Sequence, residues 1–211
     1  MGNLLTYNQI QTYIDKTTLA IPKSLESIQN DGRSFEYYKV FMGMFITRNM
    51  IQNGHRRGVY MNMEITEMET AEDTGTHRII CRFVCLRKLL PGYQANPQTV
   101  FFDGSGKPFS RIEGAIQDAW THLGFPGIIT PGLIRHSLVT YAWDTLNDME
   151  RAQVAQHMCH NTHTQEKYYR QDQTDGGHVK SFLLLQEALG LNQSSNSDKE
   201  EEEEEEATAA S

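Results

Sequence analysis

Arg135 and His136, followed by His160 and then by Tyr169 nine residues further on, are the side chains in this sequence best equipped to handle a phosphodiester. The stretches that carry them read Thr130-Pro131-Gly132-Leu133-Ile134-Arg135-His136-Ser137, then Gln156-His157-Met158-Cys159-His160-Asn161, then Glu166-Lys167-Tyr168-Tyr169-Arg170. A guanidinium grips two phosphate oxygens in one plane. An imidazole supplies a further donor. A phenol, with a free pKa of about 10, becomes a usable nucleophile only beside such groups. Each residue also has a structural reading: an arginine can cap a helix, and adjacent tyrosines can simply pack.

A rival constellation overlaps this one. His157, His160 and His163 are spaced in threes with Cys159 among them, and imidazole and thiolate both suit zinc. Residues three apart share a face only while a helix continues. Asn161-Thr162 reads as a break and a new N-cap, which scatters the three rings, so neither a metal nor a cofactor is expected. The three cysteines, Cys81, Cys85 and Cys159, are odd in number and lack a Cys-x-x-Cys repeat, which reads as free thiols in a reducing compartment.

The elements that must position these groups are mostly helical. Residues 4–30 repeat Tyr7, Ile10 and Ile14 at helical spacing and form a short lead-in within residues 1–34. Phe35 to Met50 is dense in apolar side chains and reads as a buried helix, broken by Gly54-His55-Arg56-Arg57-Gly58. Arg78 to Cys85, with Ile79, Ile80, Phe83 and Val84, reads as a strand after the turn-like Asp73-Thr74-Gly75, and Val100-Phe101-Phe102 reads as a second strand. Ser110 and Glu113 have the spacing of a capping box for a helix whose apolar face is Ile112, Ala115, Ile116, Ala119, Trp120 and Leu123, closed by Gly124. A loop between Pro126 and Pro131 leads into a helix bearing Arg135. Further helices are expected over about 149–158, Thr162–Gln171 and Phe182–Leu191. The expected class is mainly α with a small β-sheet.

Charge and hydropathy narrow the function classes. The formal charge is −8 over 211 residues, but residues 192–211 alone carry −7, through Asp198 and Glu200 to Glu206 against Lys199. The body is therefore near neutral, and 192–211 reads as a disordered acidic tail suited to basic partners. No apolar run approaches the roughly 18 residues that span a bilayer, so no membrane association is expected.

Residues 35–172 resemble the tyrosine recombinases, the phage-integrase family, most closely from Arg135-His136 to Tyr169. Arg135 matches the second arginine of that signature, His160 the corner histidine and Tyr169 the nucleophile, with Tyr168 one residue short. Gly54-His55-Arg56 resembles the glycine-x-arginine of the first arginine, which makes Arg56 the match and Arg57 the alternate. Arg56 to Tyr60, Phe101 to Lys107 and the acidic tail also resemble recombinases of Crypton- or DIRS-type mobile elements. The resemblance implies a DNA breaking-and-rejoining catalytic core over 35–191. It also implies double-stranded DNA as partner, homo-oligomers on that DNA, a nuclear setting and metal-free strand transfer through a 3′-phosphotyrosyl intermediate. The sequence departs from the pattern at Gly132, where a histidine or lysine is expected, and at Val59, where an acid is common. No lysine lies between Gly58 and Arg87 to serve as the family's general acid. A DNA-binding or interaction module without catalysis is the alternative expectation.

Overall fold

The structure, a computed structural model, describes residues 4–31, 34–69, 75–158 and 177–191. The chain divides into two compact units, residues 1–136 and 137–211.

The first unit is built around two crossing helices. Helix α1 (Tyr7–Asn30) starts at Thr6, whose hydroxyl accepts from the Gln9 N–H while the Gln9 side chain accepts from the Thr6 N–H. This reciprocal cap satisfies two donors that the first turn would otherwise leave open. The lead-in segment is thus integral to the core: Ile10, Tyr13, Ile21, Leu25 and Ile28 are all buried. Helix α2 (Phe35–Asn53) matches the expected helix and is covered on all sides at its centre, where Phe41, Met42, Gly43, Met44, Phe45 and Ile46 are buried. It packs against α1 and against α6 (Ile112–His122).

Gly43 makes the α2–α6 crossing close. A β-carbon there would lie 1.9 Å from the Ala115 carbonyl oxygen and 2.8 Å from the Ala119 β-carbon. Lys39 reaches across the same crossing to Asp118 at 2.9 Å, and that hydrogen bond holds its ammonium above the usual lysine pKa. Arg48 ties α2 to α1 by donating to the Ile14 carbonyl and to the hydroxyls of Thr17 and Thr18.

The expected strand over Arg78–Cys85 is instead a helix, α5 (Gly75–Leu86). Its burial has helical period: Ile80, Phe83 and the following Arg87 are covered, whereas Gly75, Arg78, Arg82 and Cys85 are exposed. Arg78 and Arg82, four residues apart, share its exposed face, while Phe83 points inward, stacked on Phe41 and Tyr38. The small sheet is likewise absent among the described residues. Val100 and Phe101 form a bend, and the β-pairings beside them are isolated bridges, Glu64 to Thr99 and Phe102 to Pro108.

Arg87 organises the segment from Pro97 to Val100. Buried at 2% exposure, it donates to the carbonyls of Pro97, Thr99 and Val100 and lies 5.0 Å over the Phe102 ring. Desolvation lowers its pKa from the usual arginine value. Tyr38 completes the join by accepting from the Phe102 N–H at 2.8 Å.

The Ser110–Glu113 capping box does not form. Helix α6 begins at Ile112 with Arg111 in the cap position and no side-chain cap bond, and Glu113 pairs with Arg57 instead.

Helix α7 (Pro131–Thr145) contains the boundary between units. In the second unit, α8 (Asp148–Met158) packs on α9 (Gly177–Ala188), with Val154, Met158, Leu184 and Leu185 buried. Asn147 caps α8, its carboxamide oxygen accepting from the N–H groups of Met149 and Glu150. No helix among the described residues is long and apolar enough to cross a membrane.

Candidate functional site

Helix α2 ends at Gly54, which takes the left-handed conformation (φ 64°) and returns its N–H to the Met50 carbonyl. The chain then runs through His55 and Arg56 into the short helix α3 (Arg57–Met61), anchored by the buried Tyr60. Burial raises the Tyr60 phenol pKa, which suits it as an anchor and not as a titrating group. Arg56 is the exposed residue immediately preceding α3.

Arg135 reaches this turn from the other end of the unit's sequence. Its Nη1 donates to the Gly54 carbonyl. That carbonyl lies one residue past the end of α2, so the bond holds the turn that follows the helix. It also fixes Arg135 beside the turn that bears Arg56, bringing the two motif segments together across 81 residues.

Three polar contacts aim α7 so that this bond can form. Gln117 of α6 donates to the Gly127 carbonyl and accepts from the Ile129 N–H, and Trp120 Nε1 donates to the Pro126 carbonyl. The loop is thereby held on α6 up to Thr130, whose hydroxyl accepts from the Leu133 N–H as the cap of α7. Pro131 at the first helical position has no N–H to leave open. The fully buried Ile134 then fixes the rotation of α7, which leaves Arg135 half-buried and His136 exposed.

Arg57, the alternate, is turned toward α6. Arg57 forms an ion pair with Glu113, so its guanidinium is already engaged by a carboxylate. Gly132 is exposed, and an added β-carbon would meet nothing nearer than the Thr130 hydroxyl at 3.9 Å. In the interval where the family pattern has a hairpin lysine, the described residues form α4 (Ile65–Glu69) and α5. Arg78 and Arg82 lie exposed on α5.

His160, Tyr169 and its neighbour Tyr168 lie outside the described residues, as do the expected helix over 162–171 and the tail over 192–211. The same holds for Cys159 and His163 of the rival metal reading. Among the described residues no three histidine, cysteine or acidic side chains converge as a metal site. Sequence reading missed Gln117 and Thr130, the positioning residues for α7. The Thr-Pro pair before a helix was the available signal for the second. Comparison with known protein families, curated proteins and solved structures gave no match.

Proposed function

We propose that this chain is a DNA-binding protein of the tyrosine-recombinase type, of mobile-element origin, acting in DNA recombination or integration in the nucleus. The observation that carries the reading is the bond from Arg135 to Gly54. It joins two segments that the signature pairs and that lie far apart in sequence. In this reading Arg56 and Arg135 bind the scissile phosphate and offset the charge that gathers on it. His160 donates a hydrogen bond to the same centre. Tyr169 attacks phosphorus, forming a 3′-phosphotyrosyl bond and releasing a 5′-hydroxyl, and a second DNA end reverses the step within a homo-oligomer on DNA. The acidic tail engages basic partners.

One observation favours a second reading, a DNA-binding module that no longer cuts. The interval that should supply the leaving-group acid holds helix α5 and no lysine, and arginine does not release protons near neutral pH. Loss of a general acid costs about 10²–10⁴-fold in rate.

Covalent trapping on pooled random duplexes separates the readings, with one pool of normal linkages and one with sulfur in place of the bridging 5′-oxygen. Sulfur leaves without needing a proton. Strand transfer predicts an adduct that disappears in Tyr169→Phe, strongest on the sulfur pool. Salt-sensitive DNA binding without an adduct on either pool supports the binding module. Absence of DNA binding at low salt sinks both.

A further inference from the structure

Helix α5 carries His77, Cys81 and Cys85 at successive four-residue intervals, which places them on neighbouring turns of one face. His77 and Cys81 are half-buried and Cys85 is exposed. His77 Nε2 and Cys81 Sγ are 3.3 Å apart. From this geometry we propose that His77 and Cys81 form a two-ligand site for a zinc-like, thiophilic divalent cation.

A tetrahedral zinc ion sits about 2.0–2.1 Å from a histidine nitrogen and about 2.3 Å from a thiolate sulfur, which puts the two donors about 3.6 Å apart. The observed pair needs to open by only about 0.3 Å to meet that bite. Binding replaces the thiol proton: the ion bonds to Cys81 Sγ and to the Nε2 lone pair of neutral His77, and one proton passes to solvent. No third ligand converges among the described residues, so water or a donor from another molecule fills the remaining positions. The site stands apart from Arg56 and Arg135 in sequence and does not depend on the proposed DNA chemistry.

The test is site-resolved alkylation of the full chain by iodoacetamide, read by peptide mass spectrometry with and without zinc. Reading individual cysteines keeps the result independent of His157, His160 and His163. Zinc at about ten times the site's dissociation constant should slow alkylation of Cys81 about tenfold. Cys85, one turn on and exposed, serves as the internal control and should change less than about twofold. His77→Gln should remove the protection of Cys81, read as the ratio of its rates with and without zinc in that same variant, while leaving the helical circular dichroism unchanged. Unprotected Cys81 at millimolar zinc overturns the proposal. So does protection that survives His77→Gln, or equal protection of Cys81 and Cys85, which would point to a dithiol site instead.

Discussion

Replacing Gly43 by alanine should destabilise the first unit even though alanine is the better helix former. In a free helix the exchange gains about 1 kcal/mol. Here the new β-carbon would sit 1.9 Å from the Ala115 oxygen, 2.6 Å from the Ala115 carbonyl carbon and 2.8 Å from the Ala119 β-carbon. Ordinary contact begins near 3.4 Å. The first two atoms belong to backbone, so no rotamer change relieves the overlap, and α2 and α6 must part by roughly 1.5 Å, the shortfall at the oxygen. A gap of that size forfeits about half or more of the dispersion energy along the crossing. It also stretches the Lys39–Asp118 pair.

Overpacking of this kind costs about 1–3 kcal/mol and occasionally more, and the backbone contacts argue for the upper end. Net of propensity, the loss should be about 2 kcal/mol. The matched control is Gly114→Ala on α6, which is exposed and whose added β-carbon meets nothing within 4 Å. It should gain about 0.4–1 kcal/mol. Thermal and urea melts of the two variants should therefore shift in opposite directions. A Gly43→Ala protein that melts at or above the wild-type temperature would refute the close crossing and the α2–α6 packing derived from it.

Three further outcomes are expected. Arg87→Met keeps length but leaves three carbonyls without their charged donor; it should cost about 3–5 kcal/mol in urea unfolding, and Arg87→Lys should recover less than half of that. Asp103 accepts from the Ser105 hydroxyl and from the N–H groups of Ser105 and Lys107, with the hydroxyl bond foremost in holding its carboxyl below the usual range. A depressed folded pKa stabilises above the unfolded value of about 3.9 and is lost as pH falls through the folded one; the urea-midpoint gap between wild type and Asp103→Ala should be full at pH 7 and close below pH 4, and a gap independent of pH contradicts the assignment. Gly132→His should fold normally, since the site is open, and should raise adduct yield on DNA about tenfold if a side chain one turn before Arg135 assists the phosphate. A folded Gly132→His with unchanged yield removes that role.

What could be read from the sequence was set by how local its cause is. Helix α2 was legible because a long apolar run bounded by Gly54 has one outcome, and α6 because its apolar face recurs for three turns. The start of α6 was not, because the Ser110-x-x-Glu113 spacing fits a capping box only if Glu113 has no stronger partner. Arg57, 56 residues away, supplies one. Helix α5 was misread because Ile79, Ile80, Phe83 and Val84 favour a strand by type, which outweighed the helical spacing of Arg78 and Arg82, and the deciding contact, Phe83 against Tyr38 and Phe41, is non-local. Arg87 gave no signal at all, since nothing in a charged residue's type says that carbonyls at 97, 99 and 100 will enclose it. In the candidate site, Arg56 and Arg135 were named from spacing. The Gly54 carbonyl that joins their segments was not, because a backbone acceptor leaves no mark on side-chain patterns.

The bond between Arg135 and Gly54 has a structural explanation that is complete in itself, because the guanidinium gives the carbonyl of the turn after α2 a charged donor. A purely structural bond, however, asks little of its surroundings. Here α2 is buried on every side at its centre, the loop before α7 is held by Gln117 and Trp120, and Ile134 fixes the rotation of α7 one residue before the arginine. Under the proposed function the same fixation would hold the guanidinium ready for two oxygens of a tetrahedral phosphate. The contrast with residues 58–87 is instructive under the same proposal. There the described chain forms helices that carry arginines and a single histidine, His77, and no lysine. Phosphate grip and leaving-group protonation are separable steps. A chain that keeps the scaffold for the first while lacking the residue for the second should bind DNA and cut only a linkage whose leaving group needs no proton.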